Sequence, residues 1–330
     1  MIQNIYIEEA VRNHPKSHEI IARYPRASIT YCEHYGSVFN SASQNFRLQK
    51  IQPSIILARK DNRRVLETPA SYGIGGHHNY YFSHMLNCLY DCRYCFLQGM
   101  YRSAHYVVFV NYEDFINDIK TTSASHTERS WFFSGYDCDS LAMEPVTGFM
   151  DFALEKFTDL PNAWLEIRTK STQIRSLLER EPLDNCVVAY SFTPDEVAKK
   201  HEHKVPSVAK RIHAAQRLQN HGWKIGIRLD PLIDTPTFEQ DYTSLIGQLF
   251  AQLDVNQLHS VSYGSFRLPR DFFKKMIKLY PRESLFATGL TEHEPMVSYP
   301  AEKERQHRRF IEDRLRQYID DSRIFPCDIS

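Results

Sequence analysis

Three cysteines stand within one short segment, HMLNCLYDCRYCFLQGMY, as Cys88, Cys92 and Cys95 in the spacing C-x3-C-x2-C. Three thiolates on one loop can hold three irons of a four-iron four-sulfur cluster. The fourth iron then has no protein ligand and stays open to a bidentate small molecule. S-adenosylmethionine offers an amino and a carboxylate group for that position. One electron from the reduced cluster would break its sulfur–carbon bond and free a 5′-deoxyadenosyl radical. The competing reading is a structural zinc site, which needs a fourth ligand. His84, shortly before Cys88, is the nearest candidate. Structural zinc loops more often carry two separated C-x2-C pairs, which this chain lacks, and a plain electron-transfer cluster usually has four cysteines. The spacing therefore favours the cluster.

Such a loop needs a scaffold. Short apolar runs rich in β-branched and aromatic residues predict strands at Tyr80–Leu86, Ser130–Ser134, Ala163–Thr169, Cys186–Phe192, Trp223–Leu229 and Gln257–Tyr263. Helical patterns lie between them. Phe238, Tyr242, Leu245, Ile246, Leu249, Phe250 and Leu253 recur on one helical face, as do Val208, Ile212, Ala215 and Leu218. Gly222 stands where a helix C-terminus favours glycine, and Asn111 before Glu113 and Asp114 predicts a helix cap. Alternating strands and helices predict parallel strands with right-handed crossovers. The expected fold is α/β, a partial (β/α)6 barrel, with an open doubly wound sheet as the alternative. Functional residues belong at the C-terminal ends of its strands. Residues 1–75 read as a mixed N-terminal α/β region and 76–265 as the barrel. Residues 266–330 read as a C-terminal extension with a hairpin, a basic helix and a terminal helix whose charges pair on the surface.

Composition narrows the class. The chain has 330 residues, 42% of them apolar, with 20 Phe and 19 Tyr, so a large core is available. No apolar run reaches the roughly 20 residues of a membrane span. The N-terminus lacks the apolar core of a signal peptide, and the expected compartment is the cytoplasm. The 40 basic residues balance 40 acidic ones, so any nucleic-acid site must be a local basic face. Seven cysteines, an odd number with three clustered, read as reduced thiols and metal ligands.

The motif C-x3-C-x-aromatic-C after the first strand of a β/α series, with Tyr94 as the aromatic residue, resembles the signature of radical S-adenosylmethionine enzymes. Cys-Arg-Tyr-Cys-Phe-Leu-Gln at 92–98 is similar to the cluster loop of spore photoproduct lyases, and the resemblance runs with interruptions from about residue 55 to 320. It implies a four-iron four-sulfur cluster, S-adenosylmethionine, an electron donor such as flavodoxin or ferredoxin, and a thymine dimer in DNA as substrate. Cys138 matches the hydrogen-donating cysteine. Ser140, Lys170 and Ser191 match cofactor-pocket residues, and Tyr94 is the aromatic residue of the loop beside the cofactor, leaving Tyr94 or solvent to return hydrogen to Cys138. Read singly, Lys170 is equally a solvated lysine, Ser191 a helix cap and Cys138 a small buried residue. Two features depart from the family. Phe96 replaces a second tyrosine of the loop, removing a phenol that the resemblance assigns to hydrogen relay. The stretch at 285–300, in the place of a basic lesion-probing hairpin, carries Glu292 and Glu294 and no Lys or Arg.

A basic stripe follows the last barrel strand. Arg267, Arg270, Lys274, Lys275 and Lys278 stand against Asp271 alone, and on a helix residues 271, 274, 275 and 278 share a face that could meet phosphates. Phe272, Phe273, Met276 and Ile277 would bury the other side. Lys199, Lys200, Lys204, Lys210 and Arg211 form a looser second cluster. The leading expectation is a radical lyase acting on a thymine dimer. The alternatives are a radical enzyme with a different, nucleotide-like substrate and a zinc-stabilised binding module without catalysis.

Overall fold

Parallel strands buried on both faces carry the architecture. In the computed structural model, which describes residues 2–69, 72–287 and 289–327, every residue of Ser130–Ser134 and of Cys186–Ser191 is buried. Continuous burial of this kind requires layers on both sides of the sheet. Among the described residues the larger sheet has eight strands. Its six central members, in spatial and chain order, are His78–Phe82, Ser130–Ser134, Ala163–Thr169, Cys186–Ser191, Lys224–Leu232 and Leu258–Ser265. All five junctions between them are parallel. Val65–Glu67 adds an antiparallel edge, and Ile324–Pro326 adds a parallel one beside Leu258–Ser265. This curled half-barrel agrees with the expected partial barrel.

The predicted strand Tyr80–Leu86 is instead two. The chain leaves the barrel after Phe82, and Met85–Leu86 pairs antiparallel with Tyr106–Phe109 at the edge of a second sheet. That sheet has the order Met85–Leu86, Tyr106–Phe109, Ile55–Ala58, Asn4–Glu8, Ser28–Cys32. Sheet membership thus crosses residue 75 in both directions. The segment with the three cysteines is a loop whose two ends are paired strands of the N-terminal sheet.

The crossover helices follow the expected periodicities. Val208–His221 starts with the Ser207 hydroxyl accepting from the Lys210 amide and ends at Gly222, whose φ of 110° suits only glycine well. Phe238–Gln252 buries Phe238, Tyr242, Leu245, Ile246 and Leu249. Asn111 does not cap its helix. Its side chain accepts from the Lys60 amide at 3.0 Å and donates to the Lys60 carbonyl at 3.1 Å, stapling the helix start to a neighbouring loop. Inside the barrel, Arg228 and Glu166 form a fully buried pair at 2.6 Å. Gly226 makes room for it, since a Cβ there would stand 2.8 Å from a guanidinium nitrogen.

The C-terminal segment covers the barrel mouth. Arg267–Pro269 pairs with Met296–Ser298, which forms a hairpin with Thr291–His293. The helix Arg270–Leu279 buries Phe273 and Met276, whereas Phe272 is only half-buried and Ile277 is 39% exposed. Its buried side presses on the short helix Leu97–Met100 that follows the cysteine loop. A Cβ on Gly99 would meet the Phe272 carbonyl oxygen at 2.5 Å, so only glycine permits this approach. No helix among the described residues is long and apolar enough to cross a membrane.

Candidate active site

The neck of the cysteine loop is fixed first. Asn87, immediately before Cys88, takes the left-handed conformation (φ 69°), which asparagine tolerates better than most residues. Its side-chain amide donates to the carbonyls of Ser103 and His105, both at 2.7 Å, closing the loop on itself. Lys50, buried in the N-terminal region, donates at 3.2 Å to the carbonyls of both Cys88 and Tyr90. Beyond the cysteines, Gln98 donates to Asp91 at 2.8 Å and accepts from the Tyr280 hydroxyl at 2.9 Å, which ties the loop to the C-terminal segment.

Cys88, Cys92 and Cys95 are free thiols on the wall of one cavity of about 540 Å³, the size of a small-molecule site. Cys138, Lys170 and Ser191 line the same space. Burial pushes the Cys88 thiol up to about 12 and raises Cys92 and Cys95 as well, with Lys50 and Lys170 opposing the shift. No three His, Cys, Asp or Glu side chains among the described residues converge to hold a single metal ion. A donor set of three thiols along a cavity wall, with open space beside it, fits a multi-atom cluster that leaves one position to a small molecule. His84 does not serve as a fourth ligand. It is 1% exposed, stacked on Phe149 at 4.2 Å, and absent from the cavity wall.

The strand ends deliver the other groups. Gly135 follows Ser130–Ser134 with a φ of 81°, and a Cβ there would stand 2.6 Å from the Ser140 hydroxyl, so both exclude a side chain. The chain then turns through Tyr136, Asp137, Cys138 and Asp139. Asp139 anchors this turn to the end of Ala163–Thr169. It accepts from the amides of Leu141 and Ala142, from the Thr169 hydroxyl at 2.7 Å and from the Lys170 amide at 2.6 Å. Cys138 is 7% exposed, and burial raises its thiol well above the usual range, so it keeps its hydrogen. Asp139 went unrecognised in the sequence, although an acid on each side of a cysteine was a signal.

Two expected roles meet a different geometry. Ser140 is buried behind the wall, and its hydroxyl is 2.7 Å from that of Ser134, which itself donates to the Glu166 carbonyl. Ser134, in place of Ser140, joins Ser191 on the cavity wall. The Tyr94 ring lines the cavity with the Lys170 amine 5.7 Å from its centre, but its hydroxyl donates to buried Glu202, which is also paired with Arg211 at 2.6 Å. That bond engages the hydroxyl expected to relay hydrogen. Tyr136, not anticipated, lines the cavity with its ring 5.3 Å from that of Phe96.

The basic stripe divides. Lys274, Lys275 and Lys278 are exposed, but Arg267 pairs with Asp230 at 3.1 Å, and Arg270 with Glu292 at 2.7 Å and with Glu294. The acidic hairpin therefore neutralises Arg270. The second basic cluster is reduced, because Arg211 is wholly buried, Lys204 donates to the Lys50 carbonyl and Lys199 pairs with Glu196, while Lys200 and Lys210 stay exposed.

The family model described as spore photoproduct lyase matches residues 1–324. The chain is 23% identical to the spore photoproduct lyase of Bacillus subtilis (strain 168) over 293 residues, covering 86% of this chain and 83% of the relative. It is 25% identical to that of Geobacillus sp. (strain Y412MC61) over 249 residues, 72% of each chain. A solved spore photoproduct lyase complexed with dinucleoside spore photoproduct superposes with a TM-score of 0.82 at 17% identity, covering 100% of this chain and 99% of the other. A spore photoproduct lyase variant with bound S-adenosylmethionine and the dinucleoside lesion gives 0.82 at 16% identity, with the same coverage. With the family model spanning nearly its whole length, and three free cysteines in the radical S-adenosylmethionine spacing, this chain belongs to the spore photoproduct lyase family.

Proposed function

We propose that this chain cleaves S-adenosylmethionine reductively and repairs a thymine dimer in DNA, with Cys88, Cys92 and Cys95 holding a four-iron four-sulfur cluster. The observation that carries the reading is one cavity lined at once by those three thiols and by a fourth, Cys138, kept protonated by burial. Held by these thiolates, such a cluster would supply the one electron that converts S-adenosylmethionine to methionine and a 5′-deoxyadenosyl radical. The remaining work falls to side chains of this chain.

Lys170, whose backbone is fixed by Asp139, presents a cation suited to the carboxylate of S-adenosylmethionine. Ser191 and Ser134 offer hydroxyls on the same wall. Apolar and aromatic neighbours, among them Tyr90, Phe96 and Phe133, limit water where a radical would be quenched unproductively. Cys138 suits the closing step. Its weak S–H bond gives up a hydrogen atom to the substrate radical left after the thymine–thymine bond breaks. Flavodoxin or ferredoxin suits as electron donor. A duplex or single strand would be held in part by Lys274, Lys275 and Lys278.

The test is anaerobic reconstitution followed by metal analysis and reaction with dithionite and S-adenosylmethionine. About four irons per chain and release of 5′-deoxyadenosine are expected. Stoichiometric zinc with the fold retained would overturn the reading.

A further inference from the structure

A second cavity, of about 380 Å³, adjoins the first, and Tyr81, Met100 and Tyr136 belong to the walls of both. The Tyr81 and Tyr136 rings lie 4.4 Å apart. The far wall is the loop after Ile55–Ala58, with Arg59, Lys60, Arg63 and Arg64. Two of these four cations are already committed. Arg59 pairs with Asp61 and Asp114, both at 3.0 Å, and Arg64 with Asp118 at 2.8 Å. Lys60 and Arg63 have no carboxylate within ion-pair distance among the described residues.

The loop is built rather than loose. Asn111 clamps the amide and carbonyl of Lys60, and Arg64 donates to the carbonyls of Lys60 and Asp61 at 2.9 and 2.7 Å. Arg63 is held at φ 52°, a costly conformation for a non-glycine residue and one that persists where the surroundings impose it. The Lys60 amine lies 5.2 Å from the centre of the Phe109 ring, and burial lowers its affinity for a proton, with Asp137 opposing. A partly desolvated ammonium beside an unpaired guanidinium is an anion site in waiting.

We propose that this cavity receives a phosphodiester of the strand carrying the lesion, with Lys60 and Arg63 as its ligands. The proposal rests on a nucleic-acid lesion as the substrate of the adjoining cavity. It also accounts for the charges opposite. Arg267 and Arg270 are neutralised by Asp230, Glu292 and Glu294, whereas Lys60 and Arg63, on the N-terminal side, keep their charges free beside the lesion cavity. Phosphate contacts there would fix the register of the strand without reading its sequence.

The experiment uses the cluster-loaded full chain, its Lys60→Gln and Arg63→Gln variants and the double variant. Two lesion probes are compared by calorimetry: a thymine-dimer dinucleoside without phosphate, and a short single strand with the same lesion and flanking phosphates. The parent should bind the strand at least about tenfold more tightly at low salt, as a charge-assisted contact supplies. The double variant should lose that advantage while its dinucleoside affinity and iron content stay unchanged. Equal losses on both probes, or no loss on the strand, would overturn the proposal. Inorganic pyrophosphate separates this failure from failure of the lesion reading. If neither lesion probe binds the parent, the lesion reading falls. Pyrophosphate binding that disappears in the double variant would still support the anion site, and no pyrophosphate binding in the parent would overturn it.

Discussion

The Lys50 ammonium lies 3.2 Å from the carbonyl oxygens of Cys88 and Tyr90, so a residue of the N-terminal region fixes the backbone that presents Cys88, the first of the proposed cluster ligands. Lys50→Met keeps the apolar stem and removes both charge-assisted bonds. It should destabilise the chain by about 2 kcal/mol in chemical denaturation. It should also move the cluster midpoint potential to more negative values, because a buried cation favours the more reduced, more negative cluster. An unchanged potential would confine Lys50 to a packing role.

Gly99 gives a steric counterpart at the other end of the loop. Gly99→Ala places a methyl against the Phe272 backbone, and the rigid contact must open. A loss of about 2 kcal/mol is expected, with lower iron retention after reconstitution. Denaturation curves and iron analysis read both. Wild-type behaviour would mean that the C-terminal helix does not hold the loop.

His84 predicts a pH dependence. Burial lowers its proton affinity from the ordinary 6.5 to about 3, so the folded chain keeps it neutral. Between those values the unfolded chain binds a proton that the folded chain does not. Its contribution is therefore fully present above pH 6.5 and declines as pH falls towards 3, at up to about 1.4 kcal/mol per unit. His84→Phe should flatten that part of the acid stability profile and leave the metal content unchanged. Loss of metal on this substitution would revive His84 as a ligand.

Much of the barrel is legible in the chain because fully buried parallel strands are short apolar runs with sharp ends, as at Ser130–Ser134 and Ala163–Thr169. The cysteine spacing is legible because its geometry is local. The change of sheet after Phe82 is not, since Met85–Leu86 simply continues an apolar run. The partner that engages the Tyr94 hydroxyl is Glu202, 108 residues away, and the acids that neutralise Arg267 and Arg270 also lie on other elements of the chain. Charges that look free along the chain are settled only by tertiary distance.

The surface lysines give a separable prediction. Neutralising Lys274, Lys275 and Lys278 to Gln should weaken duplex binding and flatten its salt dependence without altering S-adenosylmethionine cleavage on its own. Unchanged binding would exclude this helix face as a DNA contact.

The most direct measurement is product analysis of thymine-dimer DNA incubated anaerobically with the reduced, cluster-loaded chain and S-adenosylmethionine, run in parallel with Cys138→Ala. Restored thymines are expected from the parent, and from the variant continued S-adenosylmethionine cleavage with misquenched products in place of thymine. Restored thymines from Cys138→Ala at the parent's rate would contradict the role of the thiol, and an untouched dimer in the parent reaction despite 5′-deoxyadenosine release would contradict the substrate.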